Sequence, residues 1–90
     1  MPKIRWKRFE DEAQVHDALL YELPLGTTAP TVRAFLTGQG LEFWDDGIIV
    51  RTKIRMRRRS LWVIGEWLTE FHFQDARLNA ITVRPIFTGP

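Results

Sequence analysis

A chain of 90 residues with 44% hydrophobic and 27% charged side chains has the composition of one ordinary globular domain, and its length leaves no room for a second core. With no cysteine, disulfides and thiolate metal sites are excluded and stability must come from packing. The net charge of +2 is small, but its carriers are segregated into Lys3, Arg5, Lys7 and Arg8 at the start and Arg51, Lys53, Arg55, Arg57, Arg58 and Arg59 past the middle.

No apolar run approaches the roughly 18 residues that a membrane-spanning helix needs. The opening "MPKIRWKRFEDEAQ" has basic residues but no apolar core of a signal peptide. As written, the chain is expected in the cytoplasm; with a leader removed it would be periplasmic or outer-membrane-associated. Residues 1–10 read as an N-terminal segment, residues 11–38 as two helices and residues 41–87 as an antiparallel sheet, all in one domain.

The stretch "FEDEAQVHDALLYELP" has acids at its start, where a helix is electropositive, and a proline after its last apolar positions. It predicts a helix over about residues 11–22, burying Val15, Ala18 and Leu19, with Leu20 or Leu23 at the margin. In "LPLGTTAPTVRAFLTGQG", Gly26 supplies a turn, Thr27 or Thr28 a cap, and Pro30 falls in the first turn, where a missing N–H is harmless. A second helix over about residues 28–37 would bury Val32, Phe35 and Leu36, with Gly38 or Gly40 closing it. The "GQG" at residues 38–40 lacks the other features of a phosphate loop.

Beyond Gly40 the hydrophobic period changes from about 3.6 to 2. Asp46-Gly47 signals a hairpin that would set Trp44 opposite Ile49, Phe43 opposite Val50 and Glu42 opposite Arg51. A second reversal near Arg58-Arg59 would oppose Met56 to Leu61, Ile54 to Val63, Thr52 to Gly65 and Val50 to Trp67. A third, at "QDAR", would with a three-residue loop oppose Phe71 to Ile81 and Thr69 to Val83, with a bulge needed to turn Leu78 inward. Pro85 confines the last strand to an edge. The fold class is therefore α+β, two N-terminal helices on one face of a three- to four-stranded antiparallel meander.

These registers sort the side chains onto two faces. The inner one collects Phe43, Val50, Ile54, Met56, Leu61, Val63, Trp67, Phe71 and Phe73. The outer one places Arg51 between Glu42 and Glu66, Lys53 beside Ile64, and Arg55 beside Trp62. On it also lie Trp44, Ile49 and Leu68, more large apolar groups than a face left in water usually carries. The alternatives are that the "KIRWKRF" segment folds across this face, or that it binds a protein.

The helix start "LPLGTTAPTVRAFL" and the turn "FHFQDARLNAITV" resemble bacterial domains of the SmpA/OmlA type (outer-membrane assembly lipoprotein E-like) and the repeats of β-lactamase-inhibitor-like proteins. The matching positions are Gly26, Thr27 and Leu36, with Val32 one place later than the family spacing, and Asp75, Arg77 and Leu78, with Ala76 where glycine is usual. The match covers roughly residues 24–84 and is mainly architectural. It implies a non-enzymatic, protein-binding scaffold, tethered in some relatives by a lipidated cysteine that this chain does not have.

Catalysis finds little support in the residues. His16 and His72 are isolated, Ser60 stands among arginines, and Asp45-Asp46 reads as a turn former rather than a catalytic or metal-binding pair. No catalytic residue, cofactor or metal ligand is assigned. The expected role is a non-enzymatic interaction or self-association module, with Trp44, Ile49, Arg55, Arg57, Trp62, Ile64 and Leu68 as partner-binding residues. The alternative is nucleic-acid binding by the six basic residues from Arg51 onward, with Trp62 nearby for stacking.

Overall fold

The computed structural model describes residues 3–57 and 62–88. In chain order it has a 3-10 turn at Trp6–Arg8, helices α1 (Glu12–Glu22) and α2 (Ala29–Gly38), and strands β1 (Phe43–Asp45), β2 (Ile49–Arg55), β3 (Ile64–Gln74) and β4 (Arg77–Thr88). The strands form one antiparallel sheet in the order β1-β2-β3-β4, the expected α+β meander.

Helix α1 starts where the Asp11 carboxylate accepts the Gln14 N–H at 2.9 Å, which satisfies one of the free donors of the first turn. Its buried stripe is Val15 and Leu19, continued by Leu23 just past its end, while Ala18 and Leu20 are only partly covered. Helix α2 follows Thr28, whose hydroxyl bonds that of Thr31 at 2.9 Å rather than a backbone N–H. Val32, Phe35 and Leu36 are buried as their spacing requires. The helix closes through Gly40, at φ +73°, with N–H groups of Gly40 and Leu41 donating to Thr37 and Leu36 carbonyls at 3.0 Å each.

Two of the three expected registers are corrected. In the first hairpin Trp44 opposes Arg51 and Phe43 opposes Thr52. The bend centres on Gly47 and Ile48 and not on Asp46-Gly47, because the Asp46 carboxylate accepts the N–H groups of Ile48 and Ile49 at 3.0 and 2.8 Å, while Asp46 N–H meets the Ile49 carbonyl at 3.2 Å. Moving the bend by one residue moves the register by two. Between β2 and β3 the shift is four: Ile54 opposes Trp67, Thr52 opposes Thr69 and Val50 opposes Phe71. The connection there is longer than a tight turn, with Met56 N–H donating to the Gly65 carbonyl at 3.0 Å. The expected pairing of Met56 with Leu61 involves a residue outside those described.

The third register is as expected. Phe71 opposes Ile81 and Thr69 opposes Val83, and a bulge between His72 and Phe73 turns Leu78 inward, where it is buried. The bend itself is Asp75–Ala76, both left-handed at φ +53° and +61°. Residues 26–28 are sewn to it. Gly26 N–H donates to the Leu78 carbonyl at 2.8 Å, Leu78 N–H to the Thr27 carbonyl at 2.7 Å, and the Arg77 guanidinium to the Gly26 carbonyl at 3.1 Å. The two short motifs that carried the family resemblance are thus one joint in space.

Since both corrections are even, no side chain changes face. Val50, Ile54, Met56, Trp67 and Phe71 are buried on the inner side with the helix stripes, and Phe43 and Phe73 pack partly against them. Val63 departs from expectation at 38% exposed, since it precedes the first paired residue of β3, and Leu61 lies outside the described residues. Thr52 and Thr69 form a fully buried cross-strand pair in this face. Thr52 donates its hydroxyl to the Glu42 carbonyl at 2.7 Å, which meets the hydrogen-bond requirement of a buried polar group.

Candidate functional site on the outer sheet face

Strand alternation points Ile49, Arg51, Lys53 and Arg55 of β2 outward, together with Ile64, Glu66, Leu68, Glu70 and His72 of β3. Trp44 lies opposite Arg51 and shares that face. Trp44 is 55% exposed, Ile64 39%, and Trp62, two residues ahead of Ile64, 72%. Ile49 and Leu68 are half-buried within the ladder. Arg55 and Arg57 are exposed, whereas Arg58 and Arg59 lie outside the described residues.

The N-terminal segment does not fold across this face. Ile4, Trp6 and Phe9 pack against the core cluster, and Ile4 N–H donates to the Gln39 side-chain oxygen at 2.7 Å. The segment is therefore pinned to the end of α2, with its 3-10 turn against β2.

The charge pairing around Arg51 also differs from expectation. Its acids are Glu70, at 2.8 Å from Nε, and Asp46, at 3.5 Å from Nη1, in place of Glu42 and Glu66. The even register shifts carry Glu66 along to oppose Arg55 and bring Glu70 to Arg51. The Arg51 hydrogen bond holds the Glu70 carboxyl below its ordinary range and raises Arg51 in return. Asp46 is lowered chiefly by the backbone N–H groups of Ile49 and Ile48, with a smaller contribution from the Arg51 charge.

The other cations on or beside this face stand apart from acids among the described residues. Lys53 Nζ lies 5.7 Å from the Trp44 ring centroid, within cation–π range. Among the described residues no ion pair includes Arg5, Lys7, Lys53, Arg55 or Arg57, although Glu66 stands opposite Arg55 in the ladder. Arg5 and Lys7 were not singled out from the sequence as site residues. They join Ile4, Trp6, Leu41 and Arg55 around a cleft of about 470 Å³. Their segregated charge was a visible signal; their approach to Arg55, some fifty positions along the chain, was not.

The candidates for chemistry stay dispersed. Asp45 accepts the Gly47 N–H at 2.8 Å and an Arg33 N–H at 3.1 Å, so both turn aspartates are occupied in shaping and bracing the bend. His16 lies 3.7 Å from Asp17, and His72 lies 3.4 Å from the Thr82 hydroxyl. Among the described residues no three His, Asp or Glu side chains are grouped as metal ligands, and Ser60 lies outside those residues. No helix is long and apolar enough to cross a membrane. No family model matches the chain, and neither curated proteins nor solved structures provide a match.

Proposed function

We propose that this domain is a non-enzymatic interaction module that binds a protein, or a second copy of itself, through the outer sheet face. The observation that carries the reading is the exposure of Trp44, Trp62 and Ile64 beside Arg55 and Arg57, which have no ion pair among the described residues. Aromatic and arginine anchors beside aliphatic groups are what interface hot spots favour. The kinship with SmpA/OmlA-type and β-lactamase-inhibitor-like scaffolds belongs to the same proposal. It is supported by the joint between Gly26-Thr27 and Arg77-Leu78.

A nucleic-acid reading is favoured by one observation, that Arg55 and Arg57 have no ion pair among the described residues. The two readings differ in driving force. Apolar burial is worth about 25 cal/mol per Å² and changes little with salt. Phosphate binding releases counterions and weakens steeply as salt rises. Trp62→Ser with Ile64→Ser is expected to abolish association seen by sedimentation while leaving the melting transition intact. Titration with single- and double-stranded oligonucleotides is expected to give no salt-sensitive binding tighter than about 10 μM. Tight, salt-dependent oligonucleotide binding that survives the serine pair would reverse the assignment.

A further inference from the structure

Among the described residues, three clefts meet at Arg55. The first is walled by Ile4, Arg5, Trp6, Lys7 and Leu41. A second, of about 270 Å³, runs toward Trp44 between Leu41, Lys53 and Glu66, with Glu42 on its rim. A third, of about 150 Å³, runs toward Val63 and Ile64 and again touches Lys7. Together they make an open trough with an aliphatic and aromatic floor and four cations, Arg5, Lys7, Lys53 and Arg55, against two acids, Glu42 and Glu66. None of those four cations has an ion pair among the described residues. Pairing between β1 and β2 stops at Thr52, so residues 53–55 border the trough with no β1 residue opposite them.

From this geometry we propose that the trough binds an extended acidic segment of a partner protein whose carboxylates alternate with apolar side chains. The proposal rests on the protein-binding reading of the outer face and names the partner's chemistry. An extended chain sends successive side chains to opposite sides, so apolar residues can enter the floor at Ile4, Trp6 and Leu41 while carboxylates between them reach Arg5, Lys7 and Arg55. A nucleic-acid strand fits less well. It carries charge at every nucleotide, whereas Glu42 and Glu66 interrupt the cations at the Trp44 end.

The test is fluorescence anisotropy of the whole domain with a dye-labelled short peptide alternating glutamate and leucine. The controls are a lysine-leucine peptide, a glutamate-serine peptide and an oligothymidylate. The glutamate-leucine peptide should bind at least about tenfold more tightly than either control peptide. Lys7→Glu with Arg55→Glu should weaken it by about tenfold or more with an unchanged melting curve, and Arg55→Lys should retain binding. Equal binding of the lysine peptide, or indifference to the double glutamate variant, would overturn the proposal. So would tighter binding of the oligothymidylate, or a dimer that the variant dissolves and the peptide does not displace. Loss of association in the Trp62→Ser, Ile64→Ser variant with no peptide binding by the parent would sink the trough and leave the outer-face reading standing. Peptide binding without any effect of the serine pair on association would separate the two in the opposite direction.

Discussion

Trp67 concentrates the demands placed on a single side chain. It is 4% exposed, opposes Ile54 in the inner face, and its indole N–H has no hydrogen-bond partner among the described residues. The ring thus contributes apolar contact while its polar atom opposes burial. Trp67→Ala should lower unfolding free energy by about 3–5 kcal/mol, from lost contact and the cavity left behind. Trp67→Phe should cost less than half as much, because it keeps most of the ring and deletes the unpartnered donor. Urea unfolding of the three proteins side by side checks this, and a phenylalanine variant as weak as the alanine one would mean that the N–H is satisfied in solution.

At the level of elements, the β1–β2 bend and the Arg51–Glu70 pair link the fold to pH. Asp46 and Glu70 have ordinary values of 3.8 and 4.5 and are both lowered in the folded chain. A lowered carboxyl stabilises the fold above its unfolded value and loses that contribution as pH falls through its folded value. Stability should therefore begin to decline below about pH 4.5, from Glu70 first. Asp46→Asn and Glu70→Gln should each be less stable at neutral pH and show a shallower acid decline. Urea midpoints measured at pH 7 and through the acid range test this; a decline as steep in the double variant as in the parent would place the titrating groups elsewhere.

The same elements explain what could be read in the sequence. Helix positions followed from apolar spacing and from Asp11, Pro30 and Gly40, and face assignments in the sheet followed from period-two alternation. Two turn closures did not. Gly47 marked its bend correctly, but whether it would take the first or second central place depended on the Asp46 carboxylate reaching two N–H groups beyond it. The faces survived because an error of one residue in a hairpin bend displaces the register by two. The third register was read correctly through Leu78, which had to be reconciled with the inner face by a bulge, but the expected three-residue loop is a two-residue bend at Asp75–Ala76.

For the molecule as a whole, the N-terminal segment is the part least legible beforehand, because its contacts with Gln39, Leu41 and Arg55 join distant positions that no local pattern relates. It reinforces the core end of β2 and supplies one wall of the trough. Ile4→Ser with Trp6→Ser should reduce stability by about 1–2 kcal/mol, in keeping with partial burial of two apolar side chains. Far-ultraviolet circular dichroism should retain the signal of helix and sheet. A melting temperature equal to the parent's would mean that the segment is not held against the core in solution.

The sheet's margins have a consequence for how copies of the molecule can assemble. One margin, β1, has only three residues. On the other, β4, the start is occupied by residues 26–28, and Pro85 removes a backbone donor further along. Short, covered or proline-bearing edges resist strand-to-strand growth. Contacts through a sheet face can close on themselves in a pair, whereas contacts edge to edge can propagate without limit. Exposed Trp44 and Trp62 can therefore stand beside this sheet without a long free edge next to them from which fibres would grow.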